Sequence, residues 1–120
     1  MQRILAVDDD HDILEVLKYI LEESGYQVCT LSDGNDLVEK VMEFSPDLIL
    51  LDIMLGNMDG RELCRNVKTK QETHNIPVIM ISASHTAKID NNNDGGPDDF
   101  LAKPFDIHDL LNSIQKQLAA

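Results

Sequence analysis

The stretch Leu48-Ile-Leu-Leu-Asp52 is the most apolar run in the sequence, and it ends in a carboxylate. A continuous apolar run of this length, with no alternating polar residue, predicts a strand that is buried on both faces. Ser45-Pro46 ends the helical pattern before the run, and a turn-rich segment from Gly56 to Gly60 follows it. A strand of this kind indicates a parallel sheet with helices on both of its faces.

Short apolar runs and helical periodicity alternate along the rest of the chain. Further strands are predicted at residues 3–7, 26–31, 77–81 and 100–102. Apolar residues at helical spacing predict helices around residues 13–21, 37–44, 63–67 and 107–118, and Asp106 is the expected N-cap of the last one. The alternation indicates an α/β fold whose parallel strands are joined by right-handed crossovers.

The segment Lys88–Pro97 lies between the last two predicted strands, where a fourth helix is expected. It is rich in asparagine, aspartate and glycine, which are poor helix formers. We therefore expect this fourth helix to be short or mobile.

Length and charge limit the function classes. The 120 residues are enough for one domain, and 10 Lys+Arg against 22 Asp+Glu give a net charge of −12. A chain this acidic is repelled by nucleic acid phosphates and by anionic lipid surfaces. No apolar run approaches the ~20 residues of a membrane helix, no signal peptide is visible, and Cys29 and Cys64 fit no metal-ligand spacing. We expect a cytoplasmic protein that binds neither nucleic acid nor membrane.

Polar side chains follow four of the predicted strands. Asp8-Asp9 follow the first strand, Asp52 ends the third, Ser82 follows the fourth and Lys103 follows the fifth. Ligands of open parallel sheets bind outside the carboxyl ends of the strands. We therefore expect three carboxylates, a hydroxyl and an ammonium group to converge at one edge of the sheet.

Such a cluster restricts the chemistry. Carboxylates held close together repel each other unless a cation lies between them, and oxygen ligands suit Mg²⁺ or Mn²⁺. A carboxylate can attack phosphorus to form an acyl phosphate. The positive charges of Lys103 and of a metal ion, together with a hydrogen bond from the Ser82 hydroxyl, would stabilise the transferred group. No glycine-rich phosphate loop follows the first strand, which argues against a mononucleotide or flavin pocket.

Four motifs together resemble the receiver domain of two-component response regulators. They are Val7-Asp8-Asp9-Asp10, Asp52-Ile-Met-Leu-Gly-Asn-Met-Asp59-Gly60, Ile81-Ser82-Ala83 and Phe100-Leu-Ala-Lys103-Pro104-Phe105. The resemblance covers the whole chain, residues 1–120, and each motif lies at a strand end. It implies a doubly wound, flavodoxin-like five-stranded sheet with the order 2-1-3-4-5.

The resemblance also implies a role for each site residue. Asp52 is the expected phosphoacceptor. Asp9 is the expected direct metal ligand, Asp8 a neighbouring ligand that often acts through water, and the backbone carbonyl of Met54 completes the protein ligands of Mg²⁺ or Mn²⁺. A sensor histidine kinase or a phosphotransfer protein is the expected phosphoryl donor.

Three further positions match residues that, in this family, bind the phosphoryl group or respond to it. Ser82 is expected to bind the phosphoryl group, Lys103 to pair with the phosphoaspartate, and Phe100 to act as the aromatic switch. The peptide bond to Pro104 is cis in this family. Phosphorylation would then shift a protein-binding surface between two states.

The sequence departs from the family pattern in three places. Gly56 stands where the family usually has proline, so a looser loop after Asp52 is expected. Asn91–Asn93 weaken the helix that the family often uses to contact partners, and Phe100 lacks the hydroxyl that a tyrosine would offer.

Simpler and competing interpretations stay open at this point. Asp8–Asp10 can serve as helix caps, although one acid is enough for a cap. A haloacid-dehalogenase-like phosphatase would use Asp8 as its nucleophile, and a receiver-like module that binds partners without phosphate is a third interpretation. The residue that becomes phosphorylated distinguishes the first two classes of protein.

The receiver interpretation predicts a switch with only self-directed phosphotransfer, not an enzyme acting on a metabolite. Met54 and Ser84 lie two positions beyond Asp52 and Ser82, and neither is suited to activate water. Slow self-dephosphorylation is therefore expected. A free-standing regulator and a receiver followed by an output domain beyond Ala120 are both compatible with the sequence, as are a monomer and a dimer formed on phosphorylation.

Overall fold

A five-stranded parallel sheet forms the centre of the computed structural model, which describes residues 1–82 and 96–119. The sheet strands are β1 (Arg3–Val7), β2 (Gln27–Leu31), β3 (Leu48–Asp52), β6 (Val78–Ser82) and β7 (Asp99–Ala102). The two-residue strands β4 (Met54–Leu55) and β5 (Met58–Asp59) form a separate hairpin. The helices are α1 (His11–Glu23), α2 (Leu37–Phe44), α3 (Gly60–Thr69) and α4 (Ile107–Ala119).

The strand order of the large sheet is β2-β1-β3-β6-β7. Counted without the hairpin, this is the predicted order 2-1-3-4-5, and every neighbouring pair is parallel. All five residues of β3 are buried, as the apolar run predicts. Because Val7 pairs with Leu51 and Asp52 pairs with Ile81, the carboxyl ends of β1, β3 and β6 lie side by side.

Helices cover both faces of the sheet, so the predicted α/β layering is confirmed. Alternate strand residues point to opposite faces and form two apolar clusters. One cluster packs against α2 and α3 and includes Leu5, Val7, Leu37, Val41, Leu51, Leu63 and Val67. The other packs against α1 and α4 and includes Ile4, Ala6, Leu14, Leu17, Leu50, Leu110 and Ile114. The sheet is therefore held from both sides, and its strand ends are fixed relative to one another.

The sequence predicted a turn-rich segment at Gly56–Gly60 but not the hairpin β4–β5 that contains most of it. Its two strands are joined by Gly56 and Asn57, and Gly56 has a φ of 61°. A glycine with positive φ at the first central position is typical of the type II′ turn, which suits the twist of a hairpin. The turn residues were predicted correctly, but strands of two residues are too short to leave a periodic pattern.

The predicted fourth helix at Lys88–Pro97 falls mainly outside the described residues, as do Ser84 and Asn91–Asn93. The prediction for the last helix is confirmed, since the N–H of His108 donates to Oδ1 of Asp106 at 2.7 Å. None of the helices in residues 1–82 and 96–119 is long and apolar enough to span a bilayer.

Candidate functional site

Three carboxylates meet at the carboxyl edge of the sheet, as predicted. Asp8 and Asp9 follow β1, and Asp52 ends β3. One oxygen of each side chain can be chosen so that the three lie within 4.8 Å of one another. Asp8 and Asp52 are buried, whereas Asp9 is exposed. The cluster therefore has a buried floor and one carboxylate facing outward.

Helix capping accounts for only one of the acids that follow β1. Oδ1 of Asp10 accepts hydrogen bonds from the N–H groups of Asp12 and Ile13, at 2.9 Å and 3.4 Å. This arrangement satisfies the free donors at the start of α1. Asp8 and Asp9 take no part in the cap, so their carboxylates are available to the acidic cluster.

Lys103 joins the two buried carboxylates. Its Nζ lies 3.0 Å from Oδ2 of Asp8 and 3.0 Å from Oδ2 of Asp52. The backbone N–H of Lys103 donates to the carbonyl of Ser82 at 2.7 Å, so pairing between β6 and β7 places the lysine at this edge. The peptide bond from Lys103 to Pro104 is cis, as the resemblance implied.

Burial and charge shift the pKa values at this site. Burial raises the pKa of Asp8, and the nearby charge of Asp52 adds to the rise, while the N–H of Asp10 and the ammonium of Lys103 oppose it. Burial lowers the pKa of Lys103, but its hydrogen bonds to Asp52 and Asp8 outweigh that effect, and the net shift is upward. Lys103 is therefore charged at neutral pH and compensates part of the negative charge.

Each of the three carboxylates also accepts one backbone N–H. Asp10 donates to Oδ1 of Asp8 at 3.0 Å, and Met54 donates to Oδ1 of Asp52 at 3.0 Å. Asp9 accepts at Oδ2 from Gly56, also at 3.0 Å. The first two donors lie two positions beyond their acceptors, but Gly56 lies 47 positions beyond Asp9.

The donor set fits a hard divalent cation. Among the described residues, three carboxylates and one ammonium group meet at this site, which leaves an excess of negative charge, and oxygen ligands are those that Mg²⁺ and Mn²⁺ prefer. Met54 is 66% exposed and donates its backbone N–H to Oδ1 of Asp52. The role predicted for its backbone carbonyl stays a prediction.

Ser82 and Phe100 lie on the neighbouring strands β6 and β7. Ser82 ends β6, is buried, and pairs in register with Ala102. Phe100 is half-buried and packs against the apolar cluster beneath α2 and α3. Both residues stand where the strand pattern predicted, and their switching roles stay predictions.

Gly60 shapes the backbone of the site and was not identified from the sequence. A Cβ at this position would overlap the carbonyl oxygen of Asp52 and would lie 2.8 Å from Cα of Ile53. The N–H of Gly60 donates to the carbonyl of Ile53 at 2.6 Å, and Asp59 caps α3. The Asp59-Gly60 pair was noted as a turn signal, but the close approach of two backbones leaves no mark in a sequence.

The chain matches the family model of the response regulator receiver domain over residues 4–115. A response regulator receiver domain protein from Methanospirillum hungatei is 32% identical, with a TM-score of 0.88 and coverage of 99% of this chain and 94% of that one. The receiver domain of a signal transduction histidine kinase from Syntrophus aciditrophicus is 33% identical, with a TM-score of 0.86 and coverage of 99% and 91%.

A third similar structure bears on the cation site. The receiver domain of a sensor histidine kinase from Pseudomonas aeruginosa is 29% identical, with a TM-score of 0.87 and coverage of 99% of this chain and 98% of that one. That structure has a magnesium ion coordinated in its active site cleft. The acidic cluster found here is therefore similar in kind to a site that holds magnesium in a related fold.

Proposed function

Since this chain belongs to the family of response regulator receiver domains, which act as phosphoacceptor switches in two-component signalling, we propose that Asp52 is its phosphoacceptor. The observation that carries the proposal is the position of Asp52. It ends the central, fully buried strand, and its two oxygens are held by the N–H of Met54 and by Nζ of Lys103. The donor is the phosphohistidine of a sensor kinase or of a phosphotransfer protein.

The transfer is a single displacement at phosphorus. A carboxylate oxygen of Asp52 forms the new P–O bond while the P–N bond breaks, and the electron pair of that bond stays on the imidazole nitrogen. Lys103 keeps a positive charge beside the acceptor throughout. Asp8, Asp9 and Asp52 would hold Mg²⁺, which supplies positive charge next to the phosphoryl oxygens when it is bound.

Ser82 and Phe100 provide the response. The Ser82 hydroxyl donates to a phosphoryl oxygen, which draws the end of β6 toward Asp52. Phe100 then moves further into the apolar cluster that it already contacts. Because the Phe100 side chain carries no hydroxyl, its position within the cluster depends on packing and not on a side-chain hydrogen bond. The result is a shift of population between two surface states.

Self-dephosphorylation is slow in this proposal. Met54 is an exposed residue two positions after the acceptor Asp52. Its thioether cannot orient or deprotonate a water molecule. Ser84, the second position in question, carries only a neutral hydroxyl. A half-life of minutes or longer is expected, and a half-life of seconds under native conditions would contradict this part of the proposal.

The proposal extends to the domain and its surroundings. Residues 1–120 form one receiver domain, which works as a monomer or as a dimer formed on phosphorylation and binds neither nucleic acid nor membrane. Cys29 and Cys64 are both free thiols, the form that a reducing compartment maintains, and we place the reaction in the cytoplasm.

Intact-mass spectrometry after treatment with acetyl phosphate tests the proposal. The wild type should gain one phosphoryl group in the presence of Mg²⁺ and none after chelation. Asp52→Asn should abolish the adduct, whereas Asp36→Asn, at an exposed aspartate that makes no capping bond, should not. An adduct that survives Asp52→Asn and requires Asp8 would favour the phosphatase alternative. No adduct at all would favour a binding module that works without phosphate.

A further inference from the structure

The hairpin β4–β5 reaches the site through a backbone group. The N–H of Gly56, in the turn of the hairpin, lies 3.0 Å from Oδ2 of Asp9. Gly56 has a φ of 61°, yet a Cβ at this position would meet no atom of residues 1–82 and 96–119 within 4 Å. Packing therefore does not require a glycine here, whereas the backbone conformation does.

Asp9 differs from the other two carboxylates in how it is held. Asp8 and Asp52 are buried, bridged by Lys103, and contacted by N–H groups from their own loops. Asp9 is exposed, and within residues 1–82 and 96–119 its side chain has no ion pair and no other hydrogen bond. Without the Gly56 contact, its carboxylate would rotate freely in solvent.

We propose that the Gly56 N–H is a positioning group for Asp9. It holds one carboxylate oxygen so that the other faces the cation site shared with Asp8 and Asp52. The inference rests on the proposed function, in which these three carboxylates hold Mg²⁺. An oriented ligand loses less conformational freedom on binding, and hydrogen bonds to charged acceptors are stronger than those between neutral groups. The expected effect is on cation affinity, not on which residue is phosphorylated.

Titration of the protein with Mg²⁺ and with Mn²⁺, without any phosphodonor, measures the effect. Gly56→Pro removes the N–H, imposes a φ near −65° and introduces the residue that the family usually has at this position. Gly56→Asn keeps the N–H, and asparagine tolerates positive φ better than other side chains. We expect affinity for both ions to fall roughly tenfold in Gly56→Pro and to stay within about twofold of the wild type in Gly56→Asn.

Proline also changes the shape of the turn, so a second background isolates the role of the N–H. Asp9→Ala removes the acceptor, and the remaining affinity depends on Asp8 and Asp52. If the N–H acts through Asp9, Gly56→Pro changes the affinity of the Asp9→Ala protein by less than about twofold. An equal loss in both backgrounds would show that the proline distorts the hairpin, and it would overturn the inference. Unchanged affinity in the single variant would overturn it as well.

The amide signal of Gly56 in a nitrogen–proton correlation spectrum is a direct readout that requires no cation. It should move upfield in Asp9→Ala, because the hydrogen bond is lost, and an unmoved signal would count against the contact. Different results would contradict the metal site and the role of the Gly56 N–H. If the wild type binds no Mg²⁺, the metal site and this inference fall together. If it binds Mg²⁺ and Gly56→Pro binds equally well, only the inference falls, and phosphorylation of Asp52 is unaffected.

Discussion

The ammonium group of Lys103 lies 3.0 Å from Oδ2 of Asp52, a residue 51 positions earlier in the chain. The same nitrogen lies 3.0 Å from Oδ2 of Asp8. One lysine on the loop after β7 therefore bridges the carboxylates at the ends of β1 and β3. The contact connects the edge strand β7 to the proposed phosphoacceptor. The negative charges of Asp8 and Asp52 are therefore compensated by the same ammonium group.

Replacing Lys103 should destabilise the protein when no divalent cation is present. Lys103→Met leaves Asp8 and Asp52 close together without their shared partner, and the Lys103 side chain is only 18% exposed. Loss of one member of a buried ion pair costs several kcal/mol, and partial exposure reduces the effect to about 2 kcal/mol here. Urea unfolding followed by circular dichroism measures it.

Lys116→Met is the control for this measurement, because Lys116 is exposed in the last turn of α4. Its free energy of unfolding should change by less than about 0.5 kcal/mol. If both variants unfold at the same urea concentration as the wild type, the bridge contributes nothing to stability.

Gly60→Ala should be the more damaging of two glycine replacements. A Cβ at Gly60 would overlap the Asp52 carbonyl oxygen and lie 2.8 Å from Cα of Ile53, and neither backbone atom can move aside cheaply. We expect a loss of about 3 kcal/mol in the free energy of unfolding. The variant should also be phosphorylated more slowly, because relief of the overlap displaces Asp52.

Gly25→Ala separates backbone strain from overlap. Gly25 has a φ of 96°, but a Cβ there would meet no atom within 4 Å in the part of the chain that the structure describes. Strain alone predicts a loss of about 1 kcal/mol and no change in the rate of phosphorylation. Equal losses of stability in the two variants would contradict the overlap at Gly60.

The ion pair between Lys68 and Asp98 should stabilise the N-terminal end of the edge strand β7. Nζ of Lys68 lies 2.8 Å from Oδ2 of Asp98 and 3.0 Å from the carbonyl of Ile76, and the same carboxylate oxygen accepts the N–H of Val78. The Lys68 side chain is 13% exposed and that of Asp98 is 35% exposed. We therefore expect Lys68→Met to cost about 1 kcal/mol, a value discounted for solvent screening.

Amide hydrogen exchange of β7 provides the measurement for this pair. Exchange in Asp99–Ala102 should become faster in Lys68→Met, and Lys70→Met, at an exposed neighbour, should leave it unchanged. A double-mutant cycle with Asp98→Asn should give a non-zero coupling free energy. Additive effects of the two substitutions would mean that the pair is not coupled.

The thiol of Cys64 should be inert at neutral pH and should make stability depend on alkaline pH. Burial raises its pKa from the ordinary value near 9.0 to about 11. The stabilising effect of the neutral thiol is complete below pH 9, because neither the folded nor the unfolded form is ionised there. It is lost progressively between pH 9 and pH 11, where the unfolded chain releases the proton more readily.

Comparison of the wild type with Cys64→Ala isolates this effect from other groups that titrate at high pH. The difference between their free energies of unfolding should shrink as the pH rises from 8 to 11. A thiol reagent at pH 8 should modify the half-buried Cys29 before Cys64. A constant difference in stability over this pH range would contradict the raised pKa.

The layered α/β fold and most of the site could be predicted because they depend on order along the chain. Apolar run length and helical spacing reflect which faces of a segment are buried, so β3 and α1 were recognisable. Parallel strands bring their carboxyl ends to one edge, which was enough to group Asp52 with Lys103. The segment 83–95 is outside the described residues, so the expectation of a weak fourth helix stays a prediction.

By itself, the sequence determined the alternation of strands and helices and the residue type at each strand end, because periodicity and order are local properties. Only the tertiary structure decided that the Gly56 N–H holds Asp9, that a Cβ at Gly60 would overlap the backbone at Asp52, and that one ammonium group serves two carboxylates. These contacts join residues that are far apart in the chain or depend on a backbone passing within a few ångströms. Hydrogen bonds and close approaches of this kind arise from packing in three dimensions, and residue spacing does not encode them.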